Sequence, residues 1–213
     1  MPNHITNRVQ APAEVLSSMI NTDGVVDFNR LLPFKGAFPW DFISGAAETA
    51  AEAISGEPLN EHPLINSLQA SNRQRANVMD LNDEEFEQFV QMLRNKRSCG
   101  HMHDMNWGRA AWGTKWNAYS QVIELDEGRL SFETAWSCPA PVFKELSRLH
   151  PDAVIRVQFA DEDIGCNCGT ITFIGGEIAE KDCAGRWDSM SAEEQAKWTA
   201  FAYGVKGWTP EED

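Results

Sequence analysis

Hydrophobic and polar residues alternate with two different periods along the chain, and these periods predict both strands and helices. The short run 4–11 alternates Ile5, Asn7 and Val9 with Thr6, Arg8 and Gln10, and this period of two predicts a strand. Pro12 then opens a predicted helix. Its apolar residues share one face at helical spacing: Val15, Leu16, Met19 and Ile20. The turn signal Asp23-Gly24 precedes a short apolar run at 25–28, so the chain is expected to begin as strand, helix, strand.

The pattern changes between residues 41 and 97. Residues 46–54 are rich in alanine and glutamate, which favour a helix. A stronger helix signal begins at Asn82, which can accept from first-turn amides, with Glu85 at the position of a capping-box partner. Apolar residues then recur at helical spacing: Phe86, Phe89, Val90 and Leu93. We therefore expect a mostly helical insertion at 41–97.

The second half of the chain returns to strand patterns. Four segments have the alternation or the β-branched and aromatic composition of strands: 118–125, 129–136, 153–159 and 169–174. The first two, joined by a tight turn, predict a hairpin. Between the second and third segments, prolines bound a helix whose predicted buried face is Val142, Phe143, Leu146 and Leu149. A polar helix is expected at about 191–203.

This order of elements predicts an α+β two-layer sandwich with an antiparallel or mixed sheet. The expected organisation is one domain formed by residues 1–40 and 98–180, interrupted by the helical insertion at 41–97. A polar C-terminal helix and tail are expected at 181–213. The chain of 213 residues is long enough to bury a core without disulfide or metal support.

The stretch 107–119 holds three of the eight tryptophans and a tyrosine. Large aromatic side chains bury more apolar surface than other residues, so this stretch is expected in the core. Lys115 lies between Trp112 and Trp116 and is expected to have a structural role, either snorkelling to solvent or making a cation–π contact. The other interpretation is a buried lysine with a lowered pKa.

The formal charge of −14, from 32 acidic and 18 basic residues, argues against direct binding to nucleic acid and favours a basic protein partner. The acidic residues chosen as interaction candidates are Asp83, Glu84, Glu85, Glu87, Asp161, Glu162 and Asp163. No run approaches the roughly 18 apolar residues of a membrane span, and the N-terminus lacks a signal-peptide pattern. Host-cell cytoplasm is the expected location, and the five cysteines are expected as reduced thiols.

One group of residues resembles a metal site. Thiolate and imidazole ligands for zinc could come from Cys99, His101, His103, Cys166 and Cys168. Neither spacing matches a known zinc pattern, and the other interpretation is polar loop residues with small buried thiols. No nucleophile elbow, phosphate loop or dinucleotide-binding glycine motif is present, so no catalytic residues are predicted.

Several motifs resemble those of the Api92-like family with the YubB ferredoxin-like domain. They are Asn-Trp-Gly at 106–108, Trp-Gly-Thr-Lys-Trp-Asn-Ala at 112–118, Phe-Glu-Thr-Ala-Trp-Ser-Cys-Pro at 132–139 with Pro141, and Asp-Glu-Asp at 161–163 before Gly169. The resemblance covers the N-terminal strand-helix-strand and about 105–180. It implies a ferredoxin-like α+β fold without an iron–sulfur cluster, an origin in a phage, plasmid or genomic island, and no catalytic residues.

Three functions are expected in this order. The first is a non-enzymatic accessory protein that binds a host protein complex through an acidic surface, for example to inhibit a nucleic-acid-binding defence system. The second is a zinc-binding enzyme or metal-stabilised module built on the cysteine and histidine cluster. The third is a self-assembling module whose sheet edge pairs with another copy, which would make it a homo-oligomer.

Overall fold

The computed structural model describes residues 2–210, and its chain divides into two compact units. Residues up to 33 and from 108 onward form the sheet unit, and residues 34–107 form the helical unit. These boundaries differ from the expected insertion at 41–97. The predicted C-terminal segment belongs to the sheet unit, while 211–213 lie outside the described residues.

Six strands of the sheet unit form one antiparallel sheet in the order β2-β3-β1-β4-β5-β6. The strands are β1 (His4–Gln10), β2 (Tyr119–Glu124), β3 (Arg129–Ala135), β4 (Ile155–Ala160), β5 (Gly169–Ile174) and β6 (Glu177–Cys183). The α-helices of the described chain are α1 (Ala13–Ser17), α2 (Gly45–Ser55), α3 (Pro63–Arg75), α4 (Asp83–Cys99), α5 (Asp104–Ala111), α6 (Ala140–Leu149) and α7 (Ala192–Lys206).

The first four strands follow the β–α–β–β–α–β plan of ferredoxin-like folds, with α1 after β1 and α6 between β3 and β4. β5 and β6 extend the sheet beyond β4. The predicted hairpin of β2 and β3 is present, joined by a short 3-10 helix at Leu125–Glu127. The α+β expectation with an antiparallel sheet is confirmed.

One face of the sheet packs against α1 and α6 and carries the main core. The Phe143 ring of α6 lies 6.3 Å from that of Phe132 and 5.8 Å from that of Phe173, measured between centroids. Other fully buried apolar residues of this core are Ile5, Leu16, Met19, Phe28, Leu130, Leu146 and Ile155.

The opposite face of the sheet is partly covered by α7, which adds to the expected two layers. Because side chains alternate along a strand, Ala160 lies on the opposite face of β4 from Val157. There it packs against the apolar residues of α7. The buried residues of α7 are Trp198, Ala202 and Val205. The predicted polar helix is therefore amphipathic in its packing, and its apolar residues fix it to the sheet.

Several details differ from the sequence predictions. No strand forms at 25–28; Val26 makes an isolated bridge, and a 3-10 helix follows at Phe28–Arg30. The side chain of Gln121 accepts from the Val26 N–H, so side-chain bonds replace strand pairing there. β6 was not predicted because both of its faces are polar and its residues are mostly exposed.

The sequence pattern predicted more burial of the aromatic residues than the structure shows. In the stretch 107–119 only Trp112 among the described tryptophans is buried, with its Nε1–H donating to the Leu32 carbonyl at 2.9 Å. Leu149 is half exposed at the end of α6, and Trp136 leaves β3 with a left-handed φ of 70°. Trp136 therefore lies just beyond the end of β3 and is about half exposed.

The helical unit has a smaller core between α2 and α4. Three alanines of α2 allow α4 to approach closely, and the buried set is Ala47, Ala50, Ala51, Phe89, Met92 and Met102. α4 begins with the predicted capping box, in which Asn82 Oδ1 accepts from the Glu85 N–H at 3.0 Å and Glu85 Oε2 accepts from the Asn82 N–H at 3.1 Å. The predicted start of this helix is confirmed.

Candidate interaction surfaces

The first five residues of α4 present three exposed carboxylates of the predicted interaction set. Asp83, Glu84 and Glu87 are exposed, whereas Glu85 is used for the capping box and accepts from the Ser44 hydroxyl at 3.0 Å. Carboxylates at the first turn are stabilised by the positive end of the helix dipole. The acidic patch is therefore fixed in place by the same residues that start the helix.

An apolar groove of about 340 Å³ adjoins this acidic turn. Trp40, Phe86 and Val90 supply its apolar part, with Glu87, Gln91 and Arg94 also lining it. Asp83 precedes Phe86 by three positions and Glu87 by four, which places these side chains on one face of the helix. Phe86 is 47% exposed although it is aromatic. We call this groove, with Asp83 and Glu84, the acidic groove.

A second apolar feature of the helical unit is the outer side of α3, which contributes no buried residue. Its large apolar residues, Leu64, Ile65 and Leu68, are all exposed. An ion pair and a hydrogen bond fix the helix instead: Arg73 pairs with Glu52 at 3.0 Å and donates to the Glu57 carbonyl. α3 thus reverses the usual amphipathic arrangement, because hydrogen bonds and an ion pair fix it while its large apolar side chains face solvent. Such an arrangement is typical of an interaction surface.

The second predicted acidic group has a structural role. Asp161 is buried, and its carboxylate accepts from the Asn3 amide at 3.0 Å, the Asn167 amide at 2.8 Å and the Asp163 N–H at 3.0 Å. Asp163 accepts a further bond from Asn3, and Glu162 is half-buried. These carboxylates tie the N-terminus to the loop after β4, so the acidic groove is the better interaction candidate.

In the helical unit, the predicted metal ligands have other partners. The Cys99 Sγ lies 3.2 Å from the Asn95 carbonyl oxygen, and the His101 ring packs edge-on against Trp107. His103 is buried, with Nε2 3.0 Å from Glu48 and Nδ1 accepting from the Asn106 N–H. The acceptor role of Nδ1 leaves the proton on Nε2 for Glu48, which fixes the ring as part of the fold.

In the sheet unit, Cys166 and Cys168 are poor thiolates. Burial and the neighbouring carboxylates, Asp163 first, raise the pKa of the Cys166 thiol. Burial raises the pKa of Cys168 to about 12. A metal-binding cysteine must be deprotonated, so both environments oppose ligation. Within residues 2–210, no group of three or more His, Cys, Asp or Glu is placed to hold a metal, and the zinc alternative stays a prediction.

The two segments that carry most of the family resemblance meet in the sheet unit. The Thr114 hydroxyl donates to the Ala135 carbonyl at 2.8 Å, and the Ser137 hydroxyl donates to the Gly113 carbonyl. The Lys115 ammonium lies 5.2 Å from the centroid of Trp136 and 4.9 Å from that of Trp116. The predicted cation–π role of Lys115 is confirmed.

The edges of the sheet carry features that oppose pairing with another copy. β6 is an edge strand with four charged side chains: Glu177, Glu180, Lys181 and Asp182. The other edge strand, β2, has an irregular register between Tyr119 and Val122. Charges and bulges at edges are the usual means of blocking strand addition. Assembly through a sheet edge stays a prediction that these features do not favour.

The sequence pattern did not predict a basic groove that lies on the sheet. Arg8, Arg129 and Arg156 line a groove of about 560 Å³ on the face that α7 leaves open. In its own strand each arginine alternates with buried residues, and this alternation could have predicted that the three side chains lie on the face opposite the core. Their convergence depends on the strand order, which brings β3 and β4 to the two sides of β1.

Within the part of the chain that the structure covers, no helix is long and apolar enough to cross a membrane.

Comparison with known proteins supports the fold of the sheet unit. A family model described as the ferredoxin-like domain in Api92-like protein matches residues 115–202, from Lys115 into α7. A solved structure, the crystal structure of a protein api92 from Yersinia pseudotuberculosis, aligns over 87% of this chain and 99% of that chain, with 11% identity and a TM-score of 0.38. No curated protein matches the chain. Residues 115–202 are therefore similar to the ferredoxin-like domain in Api92-like protein, and the predicted ferredoxin-like α+β fold is confirmed.

Proposed function

We propose that this protein is a non-enzymatic accessory protein of a phage or other mobile element that binds a host protein complex through the acidic groove. The observation that carries the proposal is the exposed Phe86 beside the unpaired carboxylates of the first α4 turn. An exposed aromatic beside a groove and within a charged rim has the composition of a protein-binding site. The resemblance to Api92-like proteins supports the mobile-element origin.

The partner surface is basic. Carboxylates at Asp83, Glu84 and Glu87 attract lysine and arginine and raise the association rate, an effect that salt reduces. The apolar part of the groove accepts one large side chain of the partner, which provides the salt-independent part of the affinity. Proteins that hold nucleic acid expose basic grooves, so a nucleic-acid-binding defence complex is the kind of host target we propose.

The test is an affinity capture from bacterial lysate with matched charge reversals. Glu84 and Glu193 both occupy the second position of a capping-box helix and are both exposed. Glu84→Lys and Glu193→Lys therefore impose the same change in net charge and the same loss at a helix start. We expect Glu84→Lys to reduce capture of the partner several-fold at low salt, while Glu193→Lys leaves it unchanged.

The apolar contribution is tested separately. Phe86→Ser removes the exposed ring, and Val154→Ser is the matched removal of an exposed apolar side chain in the sheet unit. Loss of capture with Phe86→Ser alone would support the groove. Equal loss with both control variants, or capture that high salt does not weaken, would overturn the proposal.

A further inference from the structure

Three arginines converge on the half of the sheet face that α7 leaves uncovered. Gln10 of β1 pairs with Arg129 on one side and with Arg156 on the other. Arg8, two residues earlier on the same face, pairs with Ser131 and Gln158. Neighbouring strands lie about 4.8 Å apart, so Arg129 and Arg156 originate roughly 10 Å from each other across the sheet. Arg8 lies on the strand between them, displaced by two residues along that strand.

The end of α7 positions one of these side chains. A Cβ atom placed on Gly207, which caps the helix, would lie 3.4 Å from Arg8 Nη2. A guanidinium at a helix C-terminus is favoured by the negative end of the dipole. The Arg8 guanidinium therefore lies beside the C-terminal end of α7, at the border between the covered and the open half of the face.

The charge of the groove is only partly compensated. Arg129 pairs with Glu124 at 3.2 Å and also with Glu127. Arg8 and Arg156 make no ion pair with any residue of the described chain. Grouped guanidinium groups repel one another unless an anion lies among them. In a protein with 32 acidic and 18 basic residues, this local excess of positive charge indicates an anionic ligand.

We propose that this arginine groove binds a small phosphate-bearing molecule, with the phosphate between Arg8 and Arg156. Guanidinium forks match phosphate oxygens in a bidentate geometry. The volume of about 560 Å³ lies in the range of small-molecule sites. Gln10, Gln158 and Ser131 supply neutral hydrogen-bonding groups for the rest of the ligand.

A nucleic-acid strand fits this groove less well. None of its described lining residues is aromatic, so it offers no ring on which bases can stack. The net charge of −14 also repels a long polyanion, whereas a compact phosphate meets mainly the local charge. These two observations favour a small ligand over a polymer.

Calorimetric titration of the full chain tests the site with four probes: inorganic phosphate, pyrophosphate, ATP and a single-stranded oligonucleotide. We expect pyrophosphate or ATP to bind, and Arg156→Gln to weaken that binding roughly tenfold or more. Arg186→Gln, which makes the same charge change on an exposed arginine outside the groove, should leave it unchanged. Arg156→Lys should fall between, because it keeps the charge and loses the fork.

Three results would overturn the assignment. They are the absence of binding by every phosphate probe, equal weakening by Arg186→Gln, and tighter binding of the oligonucleotide than of pyrophosphate or ATP. Arg8→Gln gives an independent second variant, and circular dichroism confirms that each variant keeps its fold. The acidic groove is unaffected by these changes, so this test is separate from that of the proposed partner.

Discussion

The Lys206 ammonium lies 4.0 Å from the carboxylate of Glu133, and only 2% of the lysine side chain is exposed. Its Nζ also donates to the His4 carbonyl at 3.2 Å. Burial lowers the pKa of Lys206 below its usual 10.5, and the attraction of Glu133, Glu162 and Asp161 opposes this only in part. The charged lysine is thus less favourable in the folded chain than in water.

This relationship predicts a pH dependence of stability. Between the lowered pKa and 10.5, the unfolded chain binds more protons at residue 206 than the folded chain, so this group makes stability rise with pH in that window. We expect Lys206→Met to remove the rise in stability across this window, because methionine has no proton to lose. Urea denaturation of both proteins from pH 7 to 10.5 measures the difference. A rise of the same size in the methionine variant would contradict the prediction.

A buried polar pair gives a second prediction. Asn7 and Thr134 face the core from adjacent strands, and the Asn7 amide donates to Thr134 Oγ1 at 2.8 Å. Thr134→Val keeps the shape and removes the acceptor, which should cost about 1–3 kcal/mol of unfolding free energy. Combining it with Asn7→Leu removes both partners and should recover part of that loss. A double variant whose loss equals the sum of the two single losses would show that the pair is not coupled.

Thr134 also shows how far the sequence predicts the fold. Alternation puts Thr134 on the same face of β3 as Leu130 and Phe132 only if a polar side chain is tolerated there. In the structure Thr134 is buried on that face, where the Asn7 amide of the next strand donates to it. Period-two and helical patterns predicted β1, the hairpin, α4 and α6 since their apolar residues meet one core. β6 and α3 carry no such pattern because neither buries an apolar face.

The candidate sites were predictable to different degrees. The acids at the start of α4 could be chosen from the sequence because a capping box fixes where they lie. Asp161 could not be separated from them, since its hydrogen bonds come from Asn167 in the following loop and from Asn3, which is 158 residues away in sequence. The arginine groove depends entirely on strand order, which a single sequence does not reveal.

Two glycines with similar backbone angles predict different costs of substitution. Gly128 has φ of 64°, and a Cβ there would lie 2.8 Å from the Ala11 carbonyl oxygen. Gly24 has φ of 78° with nothing within 4 Å of the added atom. Gly24→Ala should cost about 1 kcal/mol from backbone strain alone, and Gly128→Ala roughly 2–3 kcal/mol because the strand connection must also move. Urea denaturation of the two variants provides the comparison, and equal losses would show that the loop relaxes.

The last prediction concerns metal removal. Cys99 and His103 make hydrogen bonds within the helical unit, and the His101 ring packs against Trp107. The raised pKa of Cys168, about 12, keeps its thiol protonated at neutral pH. Because none of these side chains needs a metal to satisfy it, we expect a chelator to leave the melting temperature unchanged. Elemental analysis of protein purified without chelator is the companion measurement. One zinc per chain together with a lower melting temperature after chelation would contradict the prediction and favour the metal-stabilised alternative over the acidic-groove function.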